Sequence, residues 1–413
     1  MKPTITIRNI GPIKDVTLEL DKVNVIIGSQ SSGKSTIAKI ISYCQWVEKR
    51  YILDGDHNHD FTERFIEFHR VSDVAFNEES FIEYKSDCAH IKYDGIAHIK
   101  SLEKVDNGAK YIKSKNIYIP AERNFVSAIR NLRKYKGSSH DNIMNFVYDW
   151  SEVRDNYLVS NKFPVLGLNV SYYYNQDSDS DMLTLEDSNG LEIPLGFASS
   201  GLQSITPILL PVDYMTSGLY KSKIVDSVDE KEEMAKAMFE YIKQLDDKRQ
   251  NDIIEGINED KSLKLTSKEF EKFFSLYQNR KEYQHSQFII EEPEQNLFPQ
   301  TQRDLIYYLL EKVNDKKRDH KLLITTHSPY VLYALNNCMM GHLVKDKMPE
   351  EEQTELLSKN SWIDPEKVSV WQIKKGEIIS IKDKETKVVG NHYFNEVMGE
   401  IMDEYYEMLN YFE

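Results

Sequence analysis

The chain has 413 residues, enough for one large domain or two to three ordinary ones. Its 40% hydrophobic and 29% charged residues are ordinary for a soluble globular protein, and no apolar run approaches the roughly 18 residues of a membrane span. The net charge of −15 argues against a surface coated with phosphate contacts, although "RNFVSAIRNLRKYKG" would put Arg123, Arg130, Arg133, Lys134 and Lys136 mostly on one helix face, a basic strip or, more commonly, a solvated face.

Two further absences narrow the class. The start "MKPTITIRNIG" lacks the apolar h-region of a signal peptide. Cys44, Cys88 and Cys338 are scattered, with no C-x-x-C spacing, so neither a disulfide framework nor a zinc site is suggested. A reducing cytoplasm, without a membrane partner, is the expected setting.

In chain order, Ile5–Arg8, Val16–Leu20 and Val23–Ile27 read as strands parted by turn residues. Ser35 to about Lys49 reads as a helix, with Ile37, Ile40, Ile41 and Cys44 at helical spacing. After a polar stretch at 51–80, β-rich runs return around 80–120, followed by helical stretches at about 124–160. "NVSYYYNQDSDSDMLTLED" and "LEIPLGF" then read as a hairpin, with Asp177, Asp179 and Asp181 at its tip. Residues 218–284 are rich in Lys, Glu and Asp at helical spacing and read as a charged helical insertion. Last come a second hairpin, "VSVWQIKKGEIISIKD", and an amphipathic closing helix with Phe394, Val397, Ile401, Tyr405, Met408 and Tyr411 on one face. Docking on its own domain is the default for that helix, and a partner surface is the alternative.

The sharpest motif is Gly28-Ser29-Gln30-Ser31-Ser32-Gly33-Lys34-Ser35-Thr36, the G-x-x-x-x-G-K-[ST] pattern between a strand and a helix. Its glycines let backbone N–H groups converge on phosphate oxygens, and the helix N-terminus adds partial positive charge. Lys34 is expected to reach the β- and γ-phosphates of ATP, and Ser35 to ligate Mg²⁺. Gln30 is a further candidate for a polar contact beside the γ-phosphate.

"FIIEEPEQNLFP" then poses a question, because an apolar strand ends on two adjacent glutamates that repel unless a cation faces them. A strand at Phe288–Ile290 beside the P-loop strand would aim that end at the metal–nucleotide site. Glu291 would hold Mg²⁺, commonly through a water, and Glu292 would polarise the attacking water. Taken without the P-loop, the same pair would be a solvated helix start. "LLITTHSP" ends another β-rich run on Thr325, Thr326 and His327, which makes His327 a candidate γ-phosphate sensor. "FASSGLQSITPIL" puts Ser200 and Gly201 at the start of an apolar helix, a weak signal alone because Ser-Gly before a helix is common capping chemistry.

Taken together, these four motifs resemble the ABC-class ATPase head of the SMC/RecF/OLD group, and "IGPIKDVTLELDKVNVIIG", "IYIPAERN", "EEPEQNLFP" and "ITTHSPYVL" are similar to stretches of bacterial OLD-like AAA-family ATPases. The resemblance implies an α/β P-loop fold and a head-to-tail homodimer enclosing two ATP molecules. Ser200 and Gly201 of one subunit would contact the γ-phosphate held by Lys34 of the other, with His327 as switch histidine and Glu292 as catalytic glutamate. This sequence departs from the pattern at Glu291, where many relatives have aspartate, and at Leu202, where strong signatures carry a second glycine.

The expected organisation is a discontinuous head at 1–217 and 285–344, the insertion at 218–284, and a C-terminal hairpin–helix subdomain at 345–413. The last segment is too short for the nuclease domain of many OLD proteins, so an effector nuclease or toxin would be a separate chain. The resemblance suggests a bacterial anti-phage defence module whose nucleotide state governs such an effector. A RecF-like ATPase binding duplex DNA through Arg130, Arg133 and Lys134 is the first rival, and a nucleotide-gated scaffold with little turnover is the second. "DGDHNHD" fails as a calcium loop because His59 replaces the turn glycine and Phe65 the closing glutamate, though a metal site on His57 and His59 stays open.

Overall fold

A computed structural model describes residues 2–54, 62–95, 99–105, 111–129, 141–220 and 283–412, with scattered positions between 238 and 273. The basic residues Arg130, Arg133 and Lys134, the pair His57 and His59, and most of the 218–284 insertion lie outside them.

The architecture is organised around β3 (Val23–Gly28), whose six residues are all buried. Such a β-branched run with no polar face suits a strand covered on both sides. Among the described residues, one sheet has eleven strands. The remaining ten are β1 (Thr4–Ile10), β2 (Ile13–Glu19), β4 (Phe81–Lys85), β5 (Ala89–Asp94), β6 (Ile99–Lys104), β7 (Ser114–Ile119), β12 (His285–Glu291), β13 (Lys321–Thr326), β14 (Val368–Lys374) and β15 (Glu377–Ser380). Their order is β6-β5-β4-β1-β2-β15-β14-β3-β13-β12-β7. From β14 to β7 neighbouring strands run parallel, whereas β6 to β2 form an antiparallel wing. A smaller antiparallel sheet contains β8 (Phe163–Pro164), β9 (Val170–Asn175), β10 (Ser180–Leu185) and β11 (Leu191–Pro194).

Strand alternation divides the core in two. Val25, Ile27, Ile117, Ile119, Phe288, Ile290, Leu322 and Ile324 enter one cluster. With them pack α2 (Asn142–Arg154), α3 (Ser200–Asp213), α4 (Pro299–Val313) and α5 (Pro329–Val344). Ile26, Tyr118, Ile289 and Leu323 enter the other cluster, with α1 (Lys34–Asp54) and the antiparallel wing. The face carrying α1 is therefore the face toward which Glu291 and Thr325, in step with Ile289 and Leu323, project.

Local chemistry fixes the helix starts. Ser328 accepts from Tyr330 N at 3.1 Å, and Pro329 occupies the first turn of α5, where a missing N–H is harmless. Ser199 caps α3 by accepting from Leu202 N at 3.4 Å. Asp179 and Asp181 lie at the β9–β10 tip as expected, and there they face the buried guanidinium of Arg154 at 2.8 and 3.3 Å. All three cysteines are free thiols.

Three expectations change. The acidic strand is not beside the P-loop strand, because β13 pairs in parallel with both β3 and β12 and separates them. The expected C-terminal hairpin is not a cap, since β14 pairs in parallel with β3 and β15 meets β2, inside the sheet. The closing helix α6 (Tyr393–Leu409) buries no residue of its own, and Ile401, Tyr405 and Met408 are exposed. Only Phe394, in its first turn, packs against the core.

The sheet order yields a prediction. A chain ending at residue 344 would bare the β14 edge of β3 and remove Val368 and Val370, both 0% exposed. It is expected to lose cooperative thermal unfolding, as followed by circular dichroism. A sharp transition near that of the full chain would contradict the placement of β14.

Candidate nucleotide site at the strand ends

The loop after β3 turns through Ser31 at φ 58° and Gly33 at φ 99°. At Gly33 a Cβ would also lie 2.8 Å from Ile13 Cγ1, so both backbone shape and space select glycine. The loop ends on α1, whose first amide groups are free to meet an anion. Lys34 folds back over the loop and donates to Gly28 O and Ser29 O, each at 2.9 Å. It is only 5% exposed, and burial lowers its pKa to about 8 against the opposing pull of Glu292 and Glu294. Ser29, Gln30 and Ser31 stay exposed at the loop's mouth, with Ser35 and Thr36 half-buried in the first turn of α1.

The parallel order β3-β13-β12 brings the other groups to the same sheet end. Glu292 N donates to Thr325 O at 2.8 Å, which fixes the two strand ends against each other. His327 Nε2 lies 3.5 Å from Glu292 Oε1, and both side chains are about one-third exposed. Burial first, and Lys34 second, hold the His327 pKa below its ordinary value, while Glu292 opposes them. His327 is therefore neutral near pH 7, with one ring N–H to donate.

Glu291 is 3% exposed. Its carboxylate accepts from Tyr118 Oη at 2.6 Å and from Ala121 N at 3.3 Å, both on the β7 side. Each oxygen keeps a second lone pair, so an outer contact through water remains open to it. The charges acting on Lys34 are those of Glu292 and Glu294.

Ser200 and Gly201 open α3 with Ser199 and Ser200 exposed, and Phe197 beside them is 68% exposed. No hydrogen bond joins this turn to the P-loop of the same chain among the described residues. Its neighbour is the loop after Glu292, where a Cβ on Gly201 would lie 3.1 Å from Asn296 O.

Three residues have parts in the site that the sequence reading did not assign. Glu294, last of the "EEPE" acids, accepts from His327 N at 2.6 Å, and burial raises its pKa. Its proline-separated spacing from the doublet was the available signal. Thr325, the last residue but one of β13 between β12 and β3, has a buried hydroxyl with no partner among the described groups. Arg123 is 0% exposed and donates to the backbone of both Glu291 and Glu292. The sequence reading set it at the head of an exposed basic strip, and its burial against these carbonyls removes it from any such face.

The donor set suits a magnesium–triphosphate. The P-loop leaves no room for a Cβ at Gly28, where Ser32 Oγ would be 2.7 Å away, and the buried hydroxyls of Ser32 and Thr325 lack partners. A phosphate chain would relieve the carbonyl contacts of Lys34, and oxygen donors such as Ser35 and a water on Glu291 match a hard cation.

Residues 262–332 match the family described as an AAA ATPase domain, a span that includes the acidic strand and the histidine motif. No curated protein matches the chain. Among solved structures, it is similar to the SMC head domain from Thermotoga maritima at 9% identity, covering 93% of this chain and 100% of that one, with a TM-score of 0.37. It is also similar to the recombination mediator protein RecF at 11% identity, 92% and 98% coverage and a TM-score of 0.32. A dimeric ATP-binding cassette bound to ADP and Pi is similar at 12% identity, 92% and 99% coverage and a TM-score of 0.27. No helix among the described residues is long and apolar enough to cross a membrane.

The lowered pKa of Lys34 has a measurable consequence. A bound triphosphate stabilises the ammonium and raises its pKa again, so above about pH 8 binding must take up a proton. Affinity for a fluorescent ATP analogue is expected to fall by up to about tenfold per pH unit between pH 8 and 9.5. Lys34→Arg, charged throughout, should flatten that dependence. Parallel profiles for the two proteins would show that Lys34 is not the titrating group.

Proposed function

We propose that this α/β P-loop ATPase works as an ABC-type head that pairs head to tail with a second copy around two ATP molecules. The observation that carries the reading is the meeting of Lys34, Glu292 and His327 at the ends of β3, β12 and β13. The pairing is supported by the open first turn of α3, where Ser199 and Ser200 are exposed. Its amide groups offer a partner's γ-phosphate an anion site.

Ser35 and, through water, Glu291 would hold Mg²⁺, which when bound neutralises the phosphates and draws charge from the leaving group. Lys34 would exchange its two carbonyl contacts for β- and γ-phosphate oxygens. Glu292 would align water and accept its proton. His327 would donate to the γ-phosphate, and its proximity to Glu292 would keep the water between them. Gln30 at the loop's mouth would supply a further polar contact. Ser200 and Gly201 would close the site from the partner.

The biological role follows from the likeness of "IYIPAERN", "EEPEQNLFP" and "ITTHSPYVL" to OLD-like ATPases. It is the ATPase component of a bacterial anti-phage defence module that restrains or releases a separate nuclease or toxin. No described residue favours the DNA-binding alternative.

Glu292→Gln tests the chemistry. It should lower kcat by about a hundredfold or more while leaving nucleotide binding intact, as loss of a general base does. A dimer should accumulate with ATP in light scattering, and pull-down of that trapped dimer from its native host should retain the effector. Turnover within threefold of the unaltered protein would overturn the assignment of Glu292.

A further inference from the structure

Arg123 lies in "IPAERN", in a short turn after β7, and neither the P-loop nor the acidic doublet calls for it. Its side chain is wholly buried, and its donors are spent on main-chain carbonyls rather than on carboxylates. Nη1 donates to Glu291 O at 2.9 Å and to Pro120 O at 3.4 Å, Nη2 to Glu292 O at 2.8 Å, and Nε to Ser204 O at 3.0 Å. One planar fork thus joins the end of β12 to the second turn of α3.

The residue it grips is under strain. Glu292 has φ 43°, in the left-handed region, although Pro293 follows and favours an extended backbone at the position before it. Such a conformation persists only where the surroundings over-determine it. Here Thr325 O holds the Glu292 amide, while Arg123 and the Gln295 amide both donate to its carbonyl. A second link runs alongside, with Asn296 Nδ2 donating to the buried Ser204 Oγ at 3.0 Å. The loop carrying Glu292 and the helix opened by Ser200 and Gly201 are therefore one hydrogen-bonded body.

We propose that Arg123 is a positioning residue that sets the Glu292 carboxylate and couples it to the signature turn of α3, so that a partner nucleotide engaging Ser200 and Gly201 adjusts Glu292 in the same chain. This rests on the roles assigned above to Glu292 and to α3. When the partner's phosphate draws on the first turn of α3, the displacement passes through Ser204 to the guanidinium and to the carbonyls of Glu291 and Glu292. Hydrolysis in one half of the dimer thereby depends on occupancy of the other. A lysine at 123 keeps the charge but cannot span the carbonyls as a fork, and Ser204→Ala removes the second link from the helix side alone.

The test measures steady-state ATP turnover, direct binding of a fluorescent ATP analogue and thermal melting for Arg123→Lys, Ser204→Ala and Glu292→Gln. Arg123→Lys should lower kcat by about tenfold or more, the scale of a misplaced catalytic group, with nucleotide affinity within about threefold. Ser204→Ala should lower kcat by about threefold, as loss of one ordinary hydrogen bond does, with melting little changed. A merely structural Arg123 would move melting and leave kcat per folded molecule unchanged, which overturns the proposal. If Arg123→Lys does not fold, Ser204→Ala decides, and unaltered turnover in it is equally fatal. Full turnover in Glu292→Gln would instead sink the functional reading itself, whatever Arg123 does.

Discussion

A buried ammonium governs the site. Lys34 is almost completely shielded from water, and burial alone would drive it toward its neutral form. Two loop carbonyls and the charges of Glu292 and Glu294 hold it where it is. A phosphate chain is a better partner than any of these, because it carries charge and reaches the lysine along the same loop. The like charges at the end of β12 are tolerable for the same reason, with Lys34 on one side and Arg123 on the other.

That balance depends on strand order. β13 lies between the P-loop strand and the acidic strand, so three parallel strand ends deliver Lys34, Glu292 and His327 to one place. Below them Val25, Ile27, Phe288, Ile290, Leu322 and Ile324 form one continuous apolar face. β14 seals the other side of β3. β14 and β15 therefore belong to the mechanical frame of the site, although no proposed catalytic group comes from them. The outward helix α6, by contrast, takes almost no part in that frame.

Much of this was legible in the sequence because its signals are local. The glycine spacing of 28–36, the all-apolar run before Glu291 and the serine–proline start of α5 each specify backbone shape within a few residues. The α/β fold with a P-loop followed from them. What could not be read depends on pairing across long separations. That β13 inserts between β3 and β12, or that Val368–Lys374 returns to pair with β3, is set by the whole sheet. Arg123 was hidden for a related reason: its acceptors are main-chain carbonyls at 291, 292 and 204, and carbonyls leave no trace in side-chain identity. The closing helix misled in the opposite sense, because an amphipathic pattern states that a face needs cover without saying whose.

The most direct measurement is a crystal structure of the Glu292→Gln protein with Mg·ATP. The account predicts that the Lys34 ammonium leaves Gly28 O and Ser29 O for phosphate oxygens, and that residue 292 faces a water in line with the γ-phosphate. A triphosphate bound elsewhere, or one on the P-loop with residue 292 turned to bulk solvent, would contradict it.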